Sequence, residues 1–156
     1  MTPIGIIHTD FKSKKGMPIQ AKTSPDGKGR IELLDRYVDG ISDLEGFSHI
    51  ILLYVFHLSE GYRLKVKPFL DDEKRGLFAT RAPNRPNNIG LSVVKLEGIR
   101  GNIISISGTD MLDGTPLLDI KPYVPQMDNR ENARIGWLEH KIHMMENTCN
   151  DGRFGG

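Results

Sequence analysis

Residues 50–56 read Ile-Ile-Leu-Leu-Tyr-Val-Phe without a polar interruption, a run far shorter than the roughly 20 residues a membrane-spanning helix needs. Within the longer stretch 47–58, Ile50, Leu52, Tyr54 and Phe56 fall on one alternating face and Ile51, Leu53 and Val55 on the other. This is the pattern of a central strand covered on both faces. Such a strand needs partners. Residues 4–8, 30–34, 63–66, 76–80, 91–96, 103–107 and 116–120 supply them, each bounded by glycine, proline or charge. Short, evenly spaced strands with turns between them predict a closed or nearly closed β-barrel.

Two helices are expected beside the strands. A short one covers 37–44, and a longer one covers 130–146, where Asp128 and Glu131 form a capping-box pattern. Ile135, Leu138, Ile142 and Met145 fall three and four apart, so this helix presents one apolar stripe, widened by Trp137 and Met144. The expected organisation is a barrel domain over 1–128, a helix over 129–146 packed on the barrel or at a dimer interface, and a flexible Gly-rich tail over 147–156. At 156 residues the chain holds one domain's worth of core.

Composition narrows the partners. A formal net charge of +1 means that nucleic acid would be held by local basic clusters rather than by a global field. Aromatic residues at 7% offer few platforms for stacking single-stranded bases. The single cysteine, Cys149, has no internal partner and the N-terminus lacks a signal-like apolar run, so a cytoplasmic location is expected. Neither a G-x-G-x-x-G fingerprint nor a P-loop is present, which argues against a Rossmann cofactor domain. His140 and His143 with Glu139 read as a solvated helix face, and no metal is expected.

Two loops rich in glycine, proline and polar residues sit between apolar strands, where chemistry is usually carried. In the first, residues 80–90, Arg81 and Arg85 project from a backbone stiffened by Pro83 and Pro86. They suit a fixed anion, or alternatively they cap carbonyls at the barrel end. In the second, Asp113-Gly114-Thr115-Pro116 carries turn chemistry, with Gly114 suited to a positive φ.

Taken together these segments resemble the TrmO family, also described as the TsaA-like or VirR-like domain. The resemblance runs from Ile4-Gly5-Ile6-Ile7 through Leu44-Glu45-Gly46-Phe47-Ser48-His49-Ile50 and Phe56-His57. It continues through Phe78-Ala79-Thr80-Arg81, Arg85-Pro86-Asn87 and Ile89-Gly90-Leu91-Ser92 to Asp113-Gly114-Thr115-Pro116 and Asp119-Ile120-Lys121-Pro122-Tyr123. It implies a mainly β, single-sheet barrel outside the Rossmann class that binds S-adenosylmethionine (SAM) in a site assembled across a homodimer. The implied reaction is methylation of the exocyclic nitrogen of threonylcarbamoyl-adenosine beside the tRNA anticodon. By the family pattern the cofactor would take Pro18, Ile19 and Gln20, His57 and Leu58, Arg81, Leu91, and Leu112, Asp113, Gly114 and Thr115. Many relatives have arginine where this chain has Ile19, so only backbone contact is implied there. Many bacterial members also continue into a C-terminal domain, which bears on the substrate more than on the cofactor.

A weak nitrogen nucleophile that must lose a proton benefits from a general base, and Asp113, Asp110 and His57 are the titratable candidates. Arg81 and Arg85 are the candidates for an anion, either the cofactor's carboxylate or that of the threonyl group. Lys14 and Lys15, beside Lys12, and the alternating Arg63, Lys65 and Lys67 offer phosphate contacts to tRNA. Two further readings stand beside the tRNA methyltransferase: a SAM-dependent small-molecule methyltransferase and a non-catalytic SAM-binding sensor or adaptor.

Overall fold

The computed structural model describes residues 1–13, 27–149 and 151. The expectations placed on Lys14, Lys15, Pro18, Ile19 and Gln20 lie outside the described residues, as does most of the glycine-rich tail.

The alternating stretches form the strands β1 (Gly5–Thr9), β2 (Lys28–Leu33), β3 (His49–Val55), β4 (Lys65–Val66), β5 (Arg75–Gly76), β6 (Ile89–Arg100), β7 (Ile103–Ser107) and β8 (Thr115–Pro122). Six of them close a barrel in the order β1-β2-β7-β6-β3-β8, with every neighbouring pair antiparallel. The remaining pair, β4 and β5, makes a small separate hairpin. Inward residues alternate along each strand and meet in one core that includes Ile7, Ile31, Ile50, Leu52, Val94, Ile104, Ile106 and Leu117. The expected barrel is therefore what forms.

The central strand differs in one respect from its expected double burial. Ile50, Leu52 and Tyr54 are buried, whereas Ile51, Leu53 and Val55 on the outer face are only partly covered. A small barrel has one packed interior, and these outward side chains lie outside its core. Residues 76–80, expected as a strand, pair only at Arg75–Gly76 and then tighten into a 3₁₀ turn over Leu77–Ala79. The Thr80 hydroxyl donates to the Leu77 carbonyl at 2.8 Å and closes that turn. The short helix expected over 37–44 is two 3₁₀ segments, Asp35–Ile41 and Leu44–Gly46.

The long C-terminal helix expected over 130–146 does not form. One α-helical turn, α1 (Pro125–Asp128), precedes it, and 3₁₀ segments cover Gly136–Leu138 and Ile142–Asn147. Asp128 does not cap a helix that follows it; its carboxylate accepts from the Val124 N–H at 2.7 Å. Asn132 (φ 58) and Gly136 (φ 59) adopt left-handed backbone that no α-helix can pass through. Side-chain anchors to the β4–β5 hairpin hold the segment in this path, and tertiary contact outweighs the helical spacing. Among the described residues no helix is long and apolar enough to cross a membrane.

Antiparallel closure gathers the ends of β1, β3 and β7 and the starts of β2, β6 and β8 at one end of the barrel. The loops that carry the candidate residues leave from that end. Tyr54, at the end of β3, packs its ring directly on the backbone of its register partner Gly90, at the start of β6.

Candidate functional site

At this end the barrel wall opens on one side. β6 pairs with β3 over residues 89–95 but with β7 only over 95–100. Beside Ser92 the seam between β6 and β7 therefore has no ladder, and the chain after Ser107 crosses it as a loop. Asp110 lies in that loop and accepts a hydrogen bond from the Ser92 hydroxyl at 2.7 Å. The Ser92 oxygen is in turn 3.0 Å from the Tyr54 phenol. Burial, and then the negative charge of Asp110, push the Tyr54 phenol far above its ordinary value, so it stays protonated.

Outside this seam lies a cavity of about 720 Å³, within the usual range for small-molecule sites. Its floor is Leu91, Ser92, Val93 and Asp110. One wall is the 78–82 segment with Phe78 and Arg81, and the other is Pro68, Phe69 and Leu70 beside the β4–β5 hairpin. Trp137, Leu138, Ile142 and Met145 of the C-terminal segment complete it. Of the residues assigned to a helical stripe, Trp137, Leu138, Ile142 and Met145 thus face the chain's own cavity, while Ile135 and Met144 are exposed and outside its lining. Among the described residues, Arg81 and Asp110 are the only ionisable side chains in its lining, and they carry opposite charges.

The C-terminal wall is latched. Lys141 donates to Oδ1 of Asp71, whose side chain is 1% exposed, and Arg75 binds Oδ2 through Nε and Nη2 at 2.7 Å each. Trp137 donates its Nε1 hydrogen to the Ala79 carbonyl at 2.8 Å and lies 5.7 Å from the Arg75 guanidinium, in cation–π range. The Lys141 hydrogen bond first, then the Glu73 N–H and Arg75, hold the Asp71 carboxyl well below the usual carboxylate range. A carboxyl with a depressed folded-state pKa stabilises the native state above its unfolded value and loses that contribution as pH falls through the folded value. The latch therefore begins to lose stability below about pH 4, the ordinary carboxylate value, and opens only as the pH falls through the much lower folded-state value. Trp137 is the only tryptophan and reports on it: acidification through this range, or Lys141→Met at neutral pH, should shift its fluorescence to the red. Emission indifferent to both changes would contradict the latch.

The predicted site residues divide among different places. Arg81 and Leu91 meet at the cavity. Asp113 lies in a second, smaller recess of about 380 Å³ with His8, Thr9, Asp10, Lys12, Lys28, Gly29 and Arg30. Its Oδ1 accepts the Thr9 N–H at 3.1 Å, its Oδ2 binds the Lys12 ammonium at 2.6 Å, and His8 Nδ1 lies 3.5 Å away. The Lys12 hydrogen bond and then the Thr9 N–H hold its carboxyl below the usual range. Leu112 to Thr115 form the expected turn, with the Thr115 N–H bonded to the Leu112 carbonyl and Gly114 at φ 77. Thr115 is buried, and its hydroxyl also donates to Leu112. His57 and Leu58 follow β3 and are exposed outside both recesses.

Arg85 makes carbonyl-capping contacts through one of its guanidinium nitrogens. Its Nη1 donates to the carbonyls of Thr80 at 3.0 Å, Ala82 at 3.3 Å and Leu77 at 3.5 Å, and its guanidinium lies 5.6 Å from the Phe78 ring. Asn88 fixes the same loop by accepting from the Arg85 N–H and donating to the Ser59 carbonyl. Arg85 thus shapes the loop from which Arg81 projects. Among the proposed phosphate ligands, Lys67 pairs with Asp72 at 2.9 Å, while Arg63 and Lys65 are exposed. Ser92 and Tyr54 were not singled out by sequence; the signal was a lone hydroxyl at the inward position between Gly90 and Val94.

A family model described as the tRNA-methyltransferase O N-terminal domain matches residues 6–129. The chain belongs to this family. It is 55% identical to a probable S-adenosyl-L-methionine-binding protein of Pyrococcus abyssi, covering 97% of this chain and 83% of that one. It is 39% identical to the tRNA (adenine(37)-N6)-methyltransferase of Mus musculus, where 90% of this chain spans 34% of the relative. The crystal structure of TrmO from Pseudomonas aeruginosa superposes with a TM-score of 0.74 at 43% identity, covering 87% of this chain and 60% of that one. The matched region of this TrmO-family chain includes the barrel, the seam and the 80–88 loop. The C-terminal wall, with Trp137, Ile142 and Met145, lies beyond it.

Proposed function

We propose that this chain is a SAM-dependent methyltransferase acting on N6 of adenosine 37 of tRNA. Its substrate is the threonylcarbamoyl form of that nucleoside, and it works as a homodimer with the site shared between subunits. The carrying observation is the cavity beside the β6–β7 seam, with apolar and aromatic walls, one cation and one carboxylate. These residues fit the cofactor. Phe69, Phe78, Leu91 and Trp137 offer apolar surface to a purine, and Arg81 offers a counter-charge to a carboxylate. When bound, the cofactor supplies a methyl group already activated on a sulfonium. The chain's residues then have to orient the nucleophile and exclude water, and positioning supplies most of the rate.

Pro18, Ile19, Gln20, His57, Leu58, Leu112, Asp113, Gly114 and Thr115 complete the proposed cofactor site on the strength of the resemblance. Lys14 and Lys15 are the proposed tRNA contacts. Phe78 at 73% and Leu91 at 50% line the cavity and are exposed, and Leu58 at 51% and Ile89 at 38% are exposed at the same end of the barrel. A second copy seated there would bury them and would set one subunit's cavity against the loop residues that a single subunit keeps apart. Sedimentation at several protein concentrations should then show dimerisation strengthened by SAM, as linkage demands of a ligand that binds only the dimer. A monomer that binds SAM normally would defeat the shared site.

Incubation with labelled SAM and either bulk tRNA or a pool of small metabolites tests the activity. Label is expected in tRNA. Label confined to metabolites would favour the small-molecule reading, and binding without any transfer would favour the sensor.

A further inference from the structure

We propose that Asp110 is the proton acceptor of methyl transfer, and that Ser92 and Tyr54 are positioning residues that hold its carboxylate at the cavity floor. The inference rests on the function proposed above and assigns the base that such a reaction requires.

The hydrogen-bond chain has one consistent direction. A serine hydroxyl carries a single proton, and that of Ser92 points at Oδ1 of Asp110. The 3.0 Å contact between Ser92 and Tyr54 must therefore have the phenol as donor. Both protons run toward Asp110, which is the acceptor at the end of the chain. The chain is anchored at its far end because the Tyr54 ring is wedged on the backbone of Gly90. Among the described residues, Tyr54 from β3 and Arg81 from the 80–88 loop are ionisable groups set about Asp110. Asp113 is tied down by Lys12 and the Thr9 N–H and, like His57, lies outside the cavity of its own subunit, whereas Asp110 belongs to that cavity's lining.

In the reaction the N6 lone pair forms a bond to the methyl carbon while the carbon–sulfur bond breaks, leaving its electron pair on sulfur. The alkylated nitrogen, now cationic, gives its proton to the Asp110 carboxylate. A sulfonium and a carboxylate become a thioether and a carboxylic acid, and the acid later releases its proton to water. The proton leaves a strongly acidic cation, so a carboxylate of ordinary basicity suffices.

Single-turnover transfer to tRNA by Asp110→Asn at saturating SAM should fall at least about 100-fold. The second variant, Ser92→Ala, keeps the carboxylate and removes the donor that stabilises its charged form. Asp110 should then titrate at higher pH, read by carboxyl ¹³C NMR in the cofactor-free protein, and the acid limb of the transfer rate should move the same way. An active parent with an equally active Asp110→Asn would overturn the assignment while leaving the proposed function intact. An unmoved Asp110 titration in Ser92→Ala would overturn the positioning chain, and this reading decides the matter if Asp110→Asn does not fold. No transfer by the parent chain would remove the proposed function and the assignment with it.

Discussion

Replacing Arg81 with alanine is expected to weaken SAM binding by about 1.5–3 kcal/mol, the range for a hydrogen bond to a charged group. That is roughly 10- to 150-fold in affinity. Arg81 is the only cation in the cavity lining among the described residues, so none of the other described lining side chains replaces its charge. The loss should fall on binding rather than on folding, because the loop's carbonyls are gathered by Arg85. Arg85→Ala makes the informative contrast. It leaves the cavity's charges in place but frees three carbonyls, so it should lower thermal stability as well as affinity. Calorimetric titration beside thermal unfolding separates the two variants. Unchanged affinity in a folded Arg81→Ala protein would move this residue out of the cofactor site.

Gly90→Ala is expected to destabilise the barrel by about 1–3 kcal/mol, the usual cost of overpacking a filled core. A Cβ at this position would lie 2.3 Å from Cε2 and 2.5 Å from Cζ of Tyr54, a separation that no rotamer adjustment of a methyl group can relieve. The ring has to move, and Tyr54 cannot move without leaving Ser92, so methyl transfer should fall together with the melting temperature. Gly98 in the same strand serves as the control, since nothing lies within 4 Å of a Cβ built there. Gly98→Ala should be neutral or slightly stabilising, through the lower entropy of its unfolded chain. Equal unfolding temperatures for the two variants would mean that the Tyr54–Gly90 contact does not constrain the fold.

The barrel was legible in the sequence because inward and outward positions alternate with period two and because the run through Ile50, Leu52 and Tyr54 admits few other structures. β7 occupies the residues expected for it, and β6 extends beyond them at both ends. The C-terminal helix was misread because its local signals were genuine but weaker than the contacts that override them. Asp128 and the apolar spacing favour a helix, whereas Asn132, Gly136, the Trp137 bond to Ala79 and the Lys141 bond to Asp71 break it. Those partners lie about 60 to 70 positions away in sequence, and no local pattern contains them.

The site was partly legible. Arg81, Leu91 and Asp110 were each visible as candidates, but their meeting at one cavity follows from the register of β6 against two different partners. Asp113 and Asp110 looked alike as bases in the sequence. The fold separates them: Asp113 lies in one recess, bound to Lys12 and the Thr9 N–H, and Asp110 lies at the floor of the larger cavity, where it accepts from Ser92.

Labelled methyl from SAM can be offered to two preparations of one tRNA, with and without the threonylcarbamoyl group on adenosine 37, and the digested product read by mass spectrometry. A single methyl on N6 of the threonylcarbamoyl-adenosine is expected, with little or none on the unmodified tRNA. Equal methylation of both preparations, or a methyl on any other nucleoside, would contradict the proposed substrate.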